Sequence, residues 1–187
     1  MVLSVVFSPT KAFAKALESP NGLVAFLVAL FAAIFFAIAS YLLTLEPIIA
    51  GFFLVLNFVQ WLVLVFLVWF FSVAHDRKKK SHEFASFVEC ASVVSRLWQI
   101  NLISSVIMLL LVLITPFIPA LAYLAVLIIF GVILVVLFVG WLVASFKMLK
   151  AVTSKKGLNL FINWAIVLVL NALIVSFISG ILLKLIV

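Results

Sequence analysis

Five long apolar stretches, four of them without a charged residue, alternate with short polar or basic breaks along the chain. Residues 23–45 form the first stretch and end at Glu46-Pro47. Residues 48–74 form the second. The third covers residues 98–115 and stops at Thr115-Pro116-Phe117-Ile118-Pro119, because two prolines this close cannot both sit in a helix interior. Residues 120–146 are the fourth, and residues 158–187 the fifth, which carries Lys184 close to its end. About 20 apolar residues cross the ~30 Å hydrocarbon core of a bilayer as a helix. The pattern therefore predicts an all-α fold, a polytopic helical membrane protein with five transmembrane helices in one integral membrane domain, residues 1–187.

Two shorter segments show helical periodicity with one polar face. Ser8-Pro9 reads as a helix start, with Ser8 as N-cap and Pro9 in the first turn. From there Lys11, Lys15 and Glu18 share one face, while Phe13, Ala16 and Leu17 share the other. Ser19-Pro20-Asn21-Gly22 turns the chain away. In residues 83–97, Phe84, Phe87, Val88, Ala91, Val94 and Leu97 recur at helical spacing, with Ser86, Glu89 and Arg96 largely opposite. Both segments, residues 9–18 and 83–97, are expected to be short cytoplasmic-side interfacial amphipathic helices. The second is expected to bend into the third span.

Composition agrees with a lipid environment. Hydrophobic residues make up 70% of the 187 and charged residues 9%, more apolar surface than a water-soluble domain could hide. The net charge of +7 sits in the breaks. With the N-terminus inside, the cytoplasmic segments hold Lys11, Lys15, Arg77, Lys78, Lys79, Lys80, Arg96, Lys147, Lys150, Lys155 and Lys156, leaving only Lys184 outside. The excess of Lys and Arg in short cytoplasmic loops fixes orientation, so the N-terminus is expected inside and the C-terminus outside. The expected location is a prokaryotic cytoplasmic membrane. The N-terminus lacks the pattern of a cleavable signal peptide, since Met1–Phe7 is apolar before any basic residue. The cytoplasmic-side cations other than Arg96 are expected to contact anionic headgroups, which makes membrane lipid the expected partner. Nucleic acid is not expected. A second copy or another membrane protein remains an open partner.

The chemistry-bearing residues are few. No catalytic set is present: there is no Ser-His-Asp arrangement, no phosphate-binding loop and no carboxylate pair at a workable spacing. His75, Asp76, His82, Glu83 and Glu89 are the one group with metal-ligand side chains. Four cations lie between the two histidines and oppose a metal, and the spacing matches no motif in which one helical turn brings two ligands together. No metal, cofactor or enzymatic activity is expected. Cys90 is a lone thiol and reads as a small packed hydrophobe, with juxtamembrane palmitoylation as the alternative. No Asp, Glu, Lys, Arg or His falls at mid-depth of a span, as proton- or ion-coupled transport would require. The polar groups within the spans are amides and hydroxyls. Asn57, Gln60, Asn163 and Asn171 are the candidates for an uncharged polar seam, with Asn163 and Asn171 two helical turns apart on one face. Such groups usually bond between helices in lipid. The sharper alternative is a cavity for a ligand or headgroup.

Phe7-Ser8-Pro9-Thr10-Lys11-Ala12-Phe13 resembles the Pro–x–x–Ala–Phe segment that opens prokaryotic members of the Yip family, the Ypt/Rab-interacting five-span membrane proteins. Glu83-Phe84-Ala85-Ser86-Phe87 is similar to that family's amphipathic stretch before the third span. Two departures stand beside these matches. Arg77–Lys80 replaces a glycine-rich linker, and Trp98-Gln99-Ile100 stands where a proline often opens the span. The resemblance implies a non-enzymatic protein of membrane organisation or traffic. About twenty residues precede the first span, so the long Rab-binding N-terminal region has no counterpart to carry over. The alternative function is a small transporter, channel or lipid-handling protein, or a subunit of one.

Overall fold

A computed structural model describes residues 8–76, 86–153 and 156–186. Among them it contains helices and one short 3-10 turn, and no strand. Helix α1 is Pro9–Glu18, α2 is Gly22–Thr44, α3 is Pro47–Asp76, α4 is Phe87–Ile114, α5 is Ala120–Val152 and α6 is Gly157–Ile186. The 3-10 turn, Thr115–Phe117, lies between α4 and α5. The five helices from α2 to α6 are each long and apolar enough to cross a membrane. The protein is an all-α polytopic helical fold of the integral membrane class.

Local signals explain the boundaries. Pro9 occupies the first turn of α1, although the Ser8 side chain makes no cap bond. Asn21 caps α2, its Oδ1 accepting from the Val24 amide at 3.0 Å. Leu45 closes α2 in the left-handed conformation at φ 58°, and Pro47 starts α3 two residues later. Ser86 and Glu89 form a reciprocal capping box at the start of α4. Gly157 begins α6 with φ +60°, a conformation that needs no adjustment without a Cβ.

The buried core includes Ala12, Phe13 and Ala16 of α1. The small residues Ala25, Ala29, Ala32 and Ala33 line the buried side of α2. They let α2 lie close along α4, its most extensive neighbour. Phe26–Phe58 and Phe36–Phe53 edge-to-face pairs, each at 5.5 Å, join α2 to α3. A Trp69–Phe87 pair at 6.2 Å joins α3 to α4, and a Phe146–Trp164 pair at 5.9 Å joins α5 to α6. The core gathers Phe13, Trp61, Leu64, Val65, Val68, Val93, Val94, Leu97, Trp98 and Met148. By contrast, the first half of α5 exposes Leu124, Ile128, Val132, Val135 and Val136. In water such a surface would drive aggregation; in a bilayer it faces acyl chains.

Three sequence expectations change. Residues 83–85 lie outside the described residues, and from Phe87 onward the amphipathic stretch forms the opening turns of one unbroken helix, α4, rather than a separate interfacial helix. Phe87 and Val88 stay exposed, but Cys90, Ala91, Ser92, Val93, Val94 and Ser95 are buried, so protein encloses the segment from its second turn on. The apolar face of α1 is likewise spent on protein: Phe13 is 0% exposed, and α1 packs on α4 and α5. Finally, Lys147 and Lys150 stand on the last turns of α5, which continues to Val152, and not in a loop.

Candidate functional site

Two places concentrate polar chemistry. The first is the end of the bundle at which α1 lies. Chain alternation brings the start of α2, the end of α3, the start of α4, the end of α5 and the start of α6 to this end. Lys11 and Lys15 are exposed on α1, Lys150 is exposed at the end of α5, and Lys156 is exposed before α6. Lys147 is half-buried one turn before Lys150, and Arg96 is half-buried on α4. Glu18 and Glu89 share this end. Arg77, Lys78, Lys79, Lys80 and Lys155, expected headgroup contacts, lie outside the described residues, as do His82 and Glu83. Lys184 stands apart, exposed near the end of α6.

The end is held as a unit. The Asn21 backbone amide donates to Ser92 Oγ at 2.8 Å and ties the entrance of α2 to α4. Phe13, Ala16 and Ala12 lock α1 against the same region. The outward cations of α1 therefore have a fixed base, which lowers the ordering entropy of any contact they make.

The second place is a half-open cavity of about 440 Å³ between α2, α3, α4 and α5. Its polar wall comes from Asn57 and Gln60 on α3, from Asn101, Ser104 and Ser105 on α4, and from Trp141 on α5. The spacing of three on α3, and of three and four on α4, puts each set on one helix face. Phe36, Phe53, Leu134 and Leu137 are among the apolar wall residues. Among the described residues no titratable side chain lines the cavity. Counting about 1.5 Å per residue, Asn101 and Leu134 each lie about 21 Å from the starts of their helices, near mid-depth.

Hydrogen bonding in the wall is only partly used. Trp98 Nε1–H donates to Asn57 Oδ1 at 3.3 Å. Ser104 Oγ–H donates to the Ile100 carbonyl at 3.0 Å, and Ser105 Oγ–H to the Asn101 carbonyl at 2.8 Å. Trp141 Nε1–H is buried without an acceptor.

The four amides expected to form one seam fall in two places. Asn57 and Gln60 meet in the cavity wall, together with Asn101, Ser104 and Ser105 of α4, which were not among the expected seam residues. Asn163 and Asn171 are not part of that wall. They are buried on α6, 8% and 5% exposed, and the Asn171 Oδ1 has no hydrogen-bond partner. Nearby, Trp164 Nε1–H donates to Ser145 Oγ at 2.9 Å, linking α6 to α5. Cys90 is 0% exposed in the core. Among the described residues no group of three His, Cys, Asp or Glu side chains could hold a metal ion. No family model, curated protein or solved structure matches this chain.

Proposed function

We propose that this integral membrane protein is a non-enzymatic organiser of one membrane leaflet, gripping anionic headgroups with the basic end of its bundle. The observation that carries the reading is the gathering of Lys11, Lys15, Lys147, Lys150 and Lys156 at the end where α1 is locked to α4 and α5. Each Lys or Arg near an anionic surface contributes about 1 kcal/mol of attraction. Because Phe13 is enclosed by protein, the grip is electrostatic rather than an insertion of α1 into the acyl boundary. The basic end is cytoplasmic in this reading, with the C-terminus outside, in a prokaryotic cytoplasmic membrane. The resemblance to the Yip family supports a role in membrane organisation or traffic.

The test is reconstitution into vesicles with and without anionic lipid, imaged by electron cryo-microscopy. The wild-type protein is expected to alter vesicle size or shape only where anionic lipid is present. Replacing Arg77, Lys78, Lys79 and Lys80 with Ser, together with Lys11 and Lys15, should abolish that effect. Identical vesicles in all cases would remove the proposal. A second reading, a small transporter, channel or lipid-handling protein, is favoured by the mid-depth cavity with its uncharged polar wall.

A further inference from the structure

We infer that the cavity between α2, α3, α4 and α5 is a binding site for an uncharged, lipid-phase molecule whose carbonyl group accepts hydrogen bonds from the wall. The inference concerns occupancy alone, and binding without translocation would satisfy it. It is therefore independent of the leaflet grip and of transport.

The volume comes first. At about 440 Å³ the space falls in the range of small-molecule sites, ~300–1,000 Å³, and exceeds a packing defect. The chemistry of the wall then restricts the occupant. Among the described residues no titratable side chain lines it, so a phosphate, carboxylate or ammonium held at this depth would lack a counter-charge. A pure hydrocarbon would leave the polar wall unanswered. Trp141 lines the cavity, and its indole N–H is buried with no acceptor. The Asn57 amide has its oxygen engaged by Trp98, so its NH₂ is the part left to give. Gln60 and Asn101 bring further side-chain amides to the same wall. Ser104 and Ser105 have spent their protons on backbone carbonyls of α4, so they can only accept. The wall thus offers several donors from three helices, and a carbonyl oxygen is the uncharged group that answers donors without bringing a proton of its own. The apolar remainder of the wall receives the body that carries it.

Two lipid-phase sources share this chemistry: the ring carbonyls of a quinone and the ester carbonyls of a diacylglycerol. Equilibrium dialysis of the full-length protein in detergent distinguishes them, using a radiolabelled benzoquinone with one isoprenyl unit and radiolabelled dioctanoylglycerol. Protein-free micelles are the blank, and dioctanoylphosphatidic acid is the anionic comparison. The expected result is saturable binding of one uncharged probe, at about one per chain, with the phosphatidic acid binding no better than the blank. Trp141→Phe keeps a ring but removes the donor, and Asn101→Leu removes the amide. Each should weaken binding about three- to eighteenfold, the range for one hydrogen bond in a membrane protein. Trp141→Phe carries the test if Asn101→Leu fails to fold. Binding by neither uncharged probe, binding unchanged in the folded variants, or preference for the anionic probe overturns the inference.

Discussion

Trp98 Nε1–H meets Asn57 Oδ1 at 3.3 Å across 41 residues of sequence, tying α4 to α3 beside the cavity. The indole is fully buried, so its donor has no solvent to turn to. Asn57 therefore serves two purposes, one cross-tie through its oxygen and one donor group through its nitrogen. Asn57→Leu should lower stability by about 0.6–1.7 kcal/mol, the range for interhelical bonds in lipid. Trp98→Phe should cost at least as much, since it also shrinks a core side chain. A double-mutant cycle, read by unfolding in mixed micelles, should show positive coupling; additive losses would mean the bond contributes nothing.

Phe13 is the anchor of α1. It is 0% exposed, while Lys11 and Lys15 project outward from the same helix. Truncating a buried Phe costs about 3–5 kcal/mol in a packed core. Most of that loss should fall on docking of α1 rather than on the five long helices. Phe13→Ala should therefore raise hydrogen exchange and protease cleavage within Pro9–Glu18 while leaving exchange in α2 to α6 nearly unchanged. Lys15→Ser should leave α1 protected.

Cys90 sits in the core beside Val93 and Val94. A membrane-permeant maleimide should fail to label it in the folded protein and label it on denaturation. A cysteine placed at the exposed position Lys150 should label without denaturation. Rapid labelling of Cys90 in the native state would contradict the packing of α4.

The helix ends were the most legible part of the chain. Ser8-Pro9 and Ser19-Pro20 bracket α1, and Glu46-Pro47 and Pro116–Pro119 mark the two tight turns. Proline and short polar residues act locally, so they can be read without knowing the fold. What faces what could not be read this way. The polar face of Ser86, Glu89 and Arg96 suggested that residues 83–97 stay near headgroups. In the structure two other polar residues of the stretch are buried: Ser92 Oγ accepts from the Asn21 amide, and Ser95 donates to the Ser92 carbonyl at 2.7 Å. The Ser86-x-x-Glu89 capping box was the overlooked signal that one helix begins there and runs on. The division of the amides had no local signature either. Asn57 and Asn101 line one cavity because α3 and α4 pack against each other, and Asn163 and Asn171 share a face two turns apart without joining them.

The proposed sidedness, with the basic end cytoplasmic, can be tested at both ends of the bundle. Cysteines placed at Ser19 and Lys156, both exposed at the basic end, should react with an impermeant thiol reagent only in inside-out vesicles. Cysteines at Glu46 and Phe117, exposed at the opposite end, should react only in right-side-out vesicles. The reverse pattern would place the basic end outside.

Selectivity for anionic lipid at the protein surface probes the leaflet grip most directly. Electron paramagnetic resonance of spin-labelled phosphatidylglycerol and phosphatidylcholine, in vesicles containing the protein, measures which lipid is held. The grip predicts preferential immobilisation of phosphatidylglycerol. That preference should weaken as salt shortens the ~8 Å screening length, and fall further when Lys11, Lys15, Lys147 and Lys150 are replaced with Ser. Equal immobilisation of the two lipids at low salt, unchanged by those substitutions, would contradict it.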